Sequence, residues 1–321
     1  MTESDRPGIE PVSPAAGVPP GLGLGCWQFG DMGGGPSDAT LSVSLVRDAW
    51  EQGIRQFDTA QDYGNGRSEE VIGEAIRPFA DRAFVSSKSH PAPREKVAGI
   101  VEQTLRRLRR GWIDLFYFHW PRTGFDLRPM MEALEDLRRQ GKVRLIGVSN
   151  FSVTDLEQVS QAGRVDAYQL CYNLLWRYPE RDILPWCRQH RVSVVTFSSI
   201  AQGLLSDTPR NPSTFVNNDA RGRTLYYRAD VWPGLEPSVD ALRKAAASVG
   251  APLSTVALRW VLGRPGVHAS LVGARSREQI RANVAAAAGR NPGTLDDELT
   301  RLSSEAMRHI PDEGNIFLFH P

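Results

Sequence analysis

From residue 22 onward the chain alternates short, β-prone apolar runs with longer stretches whose apolar residues recur every three to four positions. Eight runs read as strands: residues 22–26, 55–59, 83–88, 114–119, 143–149, 167–172, 192–198 and 270–273. Most are nearly continuous in apolar residues, the pattern of parallel strands covered on both faces. Between them, Leu45, Ala49 and Trp50 share one helical face before Gly53. Val97, Ile100, Val101, Thr104, Leu105 and Leu108 make the clearest stripe, followed by Gly111, and Met130, Ala133, Leu134 and Leu137 repeat the scheme before Gly141. Apolar spacing near ~3.6 with a glycine just beyond it marks an amphipathic helix and its stop.

Strict strand–helix alternation predicts an α/β fold, and eight units in roughly 250 residues favour a closed (β/α)8 TIM barrel over an open sheet. An open dinucleotide-binding sheet needs Gly-x-Gly-x-x-Gly after its first strand. Here Gly21, Gly23 and Gly25 alternate within the strand and Gln28 stands where the third glycine belongs, so the fingerprint fails. Gly33, Gly34 and Gly35 then read as a plain loop. The expected organisation is a loose arm over residues 1–20 and a single barrel domain over 21–321, ending in a C-terminal tail. One connection, residues 206–237 after the seventh strand, is too long for simple joinery and carries Tyr226, Tyr227 and Trp232. Loops of that length are functional lids, pocket walls or disordered segments.

Composition narrows the function classes. The chain has 321 residues, 41% hydrophobic and 23% charged, with a net charge of +1, so nothing global draws it toward nucleic acid or an anionic membrane. Arg106, Arg107, Arg109 and Arg110 read as the solvated last turns of a helix. Cys26, Cys171 and Cys187 are odd in number and widely spaced, which argues against a disulfide framework. No spacing resembles a zinc site, and no metal is expected. The N-terminal stretch lacks an apolar signal core, and no apolar run approaches the ~20 residues of a spanning helix. A reduced, cytoplasmic protein, monomeric by default, is expected.

The candidate chemistry sits at strand ends, which face the active site of such a barrel. Asp58, Lys88 and His119 fall there, and Tyr63 follows Asp58 by five residues. Each alone has a plain structural explanation: a helix cap, a surface lysine, a satisfied core histidine. Together they suit carbonyl reduction. The developing oxyanion needs a proton donor, and an ammonium beside a phenol is expected to lower a pKa that is otherwise near ~10. Aspartate would hold the ammonium, and neutral histidine would orient the carbonyl. Ser276 and Gln279 fit a capping box opening the last barrel helix, where a helix N-terminus beside Arg275 suits phosphate.

The stretches Phe57-Asp58-Thr59-Ala60-Gln61-Asp62-Tyr63-Gly64, Ser86-Ser87-Lys88, Phe118-His119-Trp120-Pro121 and Ile146-Gly147-Val148-Ser149-Asn150-Phe151 resemble the aldo-keto reductase family. The resemblance runs in order over about residues 22–290. It implies NADP as cofactor, a small carbonyl substrate, Tyr63 as proton donor, Asp58 and Lys88 as its tuning pair, and His119 as the substrate-orienting group. It implies that Ser149, Asn150 and Gln169 hold the nicotinamide carboxamide. Gly25, Cys26 and Trp27 would line the mouth, Trp120 a pocket wall, and Phe197 and Ser198 the nicotinamide face. Arg275 would contact the 2′-phosphate, with Gly273, Ser276, Gln279 and Asn283 around it. Two departures stand out: Phe197 replaces a tyrosine common in the family, and Gly273 replaces a lysine found near the phosphate in some relatives, which leaves NAD as a secondary cofactor. Two rivals remain open, a Schiff-base lyase using Lys88 and a cofactor-binding regulatory subunit docking through the apolar segment 316–319, which is otherwise expected to fold over its own barrel or pocket.

Overall fold

The computed structural model describes residues 17–30, 38–208 and 220–318. Eight strands pair in parallel, each with the next, and the last closes on the first: β1 (Gly21–Gly25), β2 (Gln56–Asp58), β3 (Phe84–Ser89), β4 (Ile113–Phe118), β5 (Val143–Ser149), β6 (Ala167–Cys171), β7 (Ser193–Phe197) and β8 (Val267–Val272). All eight expected strands are present. The largest displacement is in β8, which starts at Val267 rather than at residue 270.

Alternation along the strands divides the apolar residues between two layers. Leu115 and Tyr117 of β4 face the barrel interior with Ala167, Val195, Ala269 and Leu271. Phe116 and Phe118 face outward into the larger core beneath the helices. Of the segment read as a loose arm, residues 1–16 lie outside the described residues. Val18, however, is buried in the interior layer and its carbonyl meets His268 Nε2 at 2.7 Å. The end of that segment belongs to the barrel floor, because an apolar side chain is needed to close it.

The surrounding helices are α1 (Ala39–Glu51), α2 (Arg67–Ala75), α3 (Arg94–Leu108), α4 (Arg128–Arg139), α5 (Val153–Ser160), α6 (Ile183–Gln189), α7 (Trp232–Ser248), α8 (Leu253–Leu262), α9 (Arg277–Ala287) and α10 (Gly293–Met307). Gly53 and Gly141 follow α1 and α4 with φ of 95° and 76°, as the sequence predicts. In α3 the left-handed position is taken by Arg109, at φ 53°, and Gly111 is not the stop. The arginine run is also less solvated than expected. Arg107 reaches buried Glu69 at 3.0 Å, and Arg110, only 2% exposed, reaches Asp114 at 2.7 Å.

The long connection is shorter than its sequence suggests. Helix α7 begins at Trp232 and contains Pro237, so the last residues of segment 206–237 are helical. Residues 209–219, like Gly33, Gly34 and Gly35, lie outside the described residues. Tyr226 and Tyr227 are buried walls beneath the C-terminal segment. After α9 the chain continues into α10, whose Leu295, Leu299, Leu302 and Ala306 are buried. Beyond it, Ile316 O accepts from Leu225 N at 2.9 Å and Leu318 N donates to Arg223 O at 3.0 Å. Residues 316–318 thus fold onto their own barrel; Phe319 lies outside the described residues. Among the described residues no single helix is long and apolar enough to cross a membrane.

Candidate functional site

Strand register assembles the centre of the site. Asp58 of β2 lies level with Ser86 of β3, and Lys88 stands two residues farther along the same face. Lys88 Nζ donates to Asp58 Oδ1 at 2.5 Å, to the Thr59 carbonyl at 2.8 Å and to the Tyr63 phenol oxygen at 3.3 Å. The other Asp58 oxygen accepts from Ser86 Oγ at 2.6 Å and Gln169 Nε2 at 2.9 Å. Lys88 is 0% exposed and Asp58 3%. Charges this deep persist only when paired and fully hydrogen-bonded, and these are. Ser87, on the opposite face of β3, bonds Glu69 of α2 at 2.6 Å and ties the strand to the helix behind it.

Tyr63 is held by its backbone. A Cβ at Gly30 would lie 2.5 Å from the Tyr63 carbonyl carbon, and one at Gly64, which has φ 63°, would lie 2.3 Å from the Gly30 carbonyl oxygen. Only two glycines allow the turn after β1 to meet the Tyr63 loop so closely. The phenol oxygen accepts from an ammonium that has no lone pair, so its own proton is left for another acceptor.

Burial pushes the Tyr63 phenol up to about 12, with Lys88 pulling down and Asp58 and Asp62 pushing up. This corrects the expected lowered phenol. The ammonium that should acidify it is matched by Asp58 at 2.5 Å, and desolvation of a phenolate outweighs what remains of its charge. Burial lowers Lys88, but the charges and hydrogen bonds of Asp58 and Tyr63 together more than reverse this and hold the amine well above its ordinary value. A lysine so protonated, with its donors engaged, is a poor nucleophile, which disfavours the Schiff-base reading.

His119 follows β4, with its ring edge-on to Tyr63 at 5.6 Å between centroids. Burial holds its pKa below the ordinary value, the nearby Asp62 carboxylate opposing, so the ring is neutral at pH 7. Asn150, at φ 62°, donates Nδ2 to the His119 carbonyl at 3.1 Å and to Ser149 Oγ at 2.9 Å. The Trp120 ring lies 6.3 Å from that of His119. Phe317 meets Trp120 edge-on at 6.1 Å and stacks with Phe197 at 6.3 Å, covering the mouth. Cys26 is buried in the core beneath the helices, its thiol pushed up by burial and by Asp58, so it is not a reactive thiol. Half-buried Trp27 follows it.

A second group lies where β8 meets α9. Ser276 caps α9 and accepts from Gln279 N at 3.3 Å. The reciprocal bond of the expected box goes one residue earlier, from Arg275 N to Gln279 Oε1 at 2.7 Å. Gly273, Arg275 and Gln279 are exposed, and Asn283 is half-buried one turn on. Gln28, the residue that spoils the glycine fingerprint, is buried and donates to the Ala274 carbonyl at 3.1 Å, joining the β1 turn to this segment. After β7, Ser198, Ala201 and Gln202 all have positive φ, at 58°, 47° and 52°. Three non-glycine residues in that region concentrate strain beside the site, as functional loops do.

A model of the Aldo/keto reductase family matches residues 21–294. The chain belongs to that family. The chain is 31% identical over 274 residues to the aldo-keto reductase YhdN of Bacillus subtilis (strain 168), covering 81% of this chain and 83% of that one. It is 28% identical over 319 residues to the NADH-specific methylglyoxal reductase of Escherichia coli (strain K12), covering 89% and 95%. In structure it is similar to the aldo/keto reductase from Klebsiella pneumoniae in complex with NADP and acetate, with TM-score 0.73 and 29% identity over 93% and 95% of the two chains.

In this aldo/keto reductase, Asp58, Tyr63, Lys88 and His119 come together as the sequence predicts, and Ser149, Asn150 and Gln169 border them. Gly273, Arg275, Ser276, Gln279 and Asn283 form the separate group at α9. Ser86 is not singled out by the sequence reading, whereas Phe317 lies in the segment expected to fold over its own barrel or pocket, and it does. Ser86 carried a usable signal, since it precedes Lys88 by two in a strand and must share its face. The apolar run around Phe317 signals that the segment is covered, and only the folded tail shows that its ring meets β7.

Proposed function

We propose that this chain reduces a small aldehyde or ketone to the alcohol with NADPH, with Tyr63 giving the proton. The observation that carries this reading is the buried Asp58–Lys88 pair turned onto the Tyr63 oxygen at 3.3 Å. When bound, the dinucleotide supplies the hydride to the carbonyl carbon. Tyr63, protonated at neutral pH, gives its proton to the oxygen as negative charge gathers there. An alkoxide is a far stronger base than a phenolate, so a phenol held near 12 still donates downhill. Lys88 steadies the phenolate left behind, and neutral His119 directs the carbonyl oxygen through a hydrogen bond.

The residues suit a dinucleotide. Ser149, Asn150 and Gln169 offer an amide-and-hydroxyl set for a carboxamide, and the Phe197 ring a stacking face. The α9 N-terminus with Arg275 and Ser276 offers backbone N–H groups and a guanidinium for phosphate. Arg275 favours the 2′-phosphate of NADP. The absence of a lysine at Gly273, together with the NADH-specific relative, supports NAD as a second cofactor. Trp27, Trp120 and Phe317 give aromatic walls suited to an apolar or sugar-like carbonyl.

Tyr63→Phe tests the reading. It removes the proton and keeps the ring, so turnover with aldehydes should fall at least about 100-fold while NADPH affinity, read by fluorescence titration, stays within about twofold. Substantial residual turnover in that variant rules Tyr63 out as donor.

A further inference from the structure

Three loops that follow β2, β3 and β4 bring together Asp62, His90 and His119, residues far apart in sequence and invisible to any spacing rule. One ligand atom of each lies within 4.8 Å of the others. Asp62 Oδ1 is 3.2 Å from His119 Nδ1, and Asp62 Oδ2 is 3.4 Å from His90 Nε2. Two donors at about 2.0–2.1 Å from a tetrahedral ion stand about 3.3–3.4 Å apart. Each imidazole thus stands at about that edge from one oxygen of the same carboxylate, which gathers the three side chains around one point.

A second observation is independent of the clustering. The His119 side chain is only 9% exposed, and its Nδ1 makes no hydrogen bond of good geometry, with the Asp62 carboxylate 3.2 Å away. A ring nitrogen withdrawn from water without a well-aligned partner is costly, and it is aimed into the cluster. The Asp62 carboxyl and the His90 ring are 40% and 53% exposed, so an ion can enter from solvent.

We propose that Asp62, His90 and His119 form a site for a divalent transition-metal ion of the zinc type, and that its occupation suppresses carbonyl reduction. Two imidazoles and one carboxylate select borderline ions such as Zn²⁺ over Mg²⁺ or Ca²⁺, which want oxygen ligands throughout. Three protein ligands leave a fourth position for water. The bound ion fixes the His119 ring through Nδ1 and stands at the mouth beside Tyr63, so a carbonyl can no longer be oriented there. The binding is independent of the proposed function; the suppression rests on it.

Isothermal titration of the chelator-stripped full chain with ZnCl2 should give one site per chain with micromolar affinity. His90→Gln and Asp62→Asn, both with unchanged circular dichroism, should each weaken it at least tenfold. Calorimetry reads the site whether or not the carbonyl reading holds. In turnover with an aldehyde and NADPH, each protein compared with its own metal-free rate, His90→Gln should need at least tenfold more zinc for half-inhibition. No zinc binding by the unaltered chain at 100 μM, or binding unchanged in either variant, overturns the site. Stoichiometric binding that leaves turnover untouched overturns the suppression.

Discussion

The two ends of the site differ in how they treat charge. At the Tyr63 end the central ion pair is buried and answered: Lys88 and Asp58 are 0% and 3% exposed and share five hydrogen bonds with their neighbours and each other. At the α9 end Arg275 and Gln279 are exposed, and the helix N-terminus faces outward. The first end is built before any ligand arrives, as electrostatic preorganisation requires. The second is open to solvent, so a ligand can add contacts there without a charge having to be buried in advance. Substitutions at the two ends should therefore separate stability from affinity.

The largest effect is expected at the buried pair. Lys88→Met leaves the Asp58 carboxylate in the barrel without a counter-ion, a loss worth about 3–5 kcal/mol in such pairs. Urea unfolding should show that loss, and turnover should vanish with it. The double variant Lys88→Met with Asp58→Leu should recover most of the stability but none of the turnover, since two apolar groups of similar size need no pairing. If the double variant is as unstable as the single one, the pair is not what makes Lys88 matter to the fold.

At the exposed end, Arg275→Ala should do the opposite. A charge-assisted phosphate contact is worth about 1.5–3 kcal/mol, so the Kd for NADPH should rise roughly ten- to a hundredfold. The NADH affinity should change far less, and the urea midpoint should not move. Equal losses for both cofactors would mean that Arg275 does not meet a 2′-phosphate, and a shifted midpoint would erase the contrast between the two ends.

This contrast also explains what could be read from the chain alone. Parallel strands covered on both faces leave continuous apolar runs, so eight strands were visible, and an ionisable residue at the end of such a run has few structural excuses. Asp58, Lys88 and His119 were legible for that reason. The balance of forces on Tyr63 was not, because the ammonium that should acidify it is visible in sequence while the burial that opposes it is not. Nor could sequence join Asp62, His90 and His119, or carry Phe317 to Phe197. Those contacts depend on loop ends that meet only when the barrel closes. Val18 reads as part of a loose arm for a related reason: a short terminal apolar pattern lacks a partner element in sequence that would give it a face to bury.

The smallest expected effect is a rate that does not change, and it bears most directly on the Tyr63 end. Burial holds Tyr63 at about 12 and keeps His119 below its ordinary value. Reduction needs the phenol protonated and the imidazole neutral, and both conditions hold throughout the range from about pH 7 to 9. The value of kcat/KM for reduction, which reports groups on the free enzyme, should therefore stay within about twofold across that range with a chelator present. If instead the ammonium governed the phenol, Tyr63 would titrate in this window and the rate would fall toward tenfold per pH unit above its pKa. A tenfold drop between pH 8 and 9 would reverse the ranking of burial over charge. The site would then be one in which Asp58 only steers Lys88, without cancelling it.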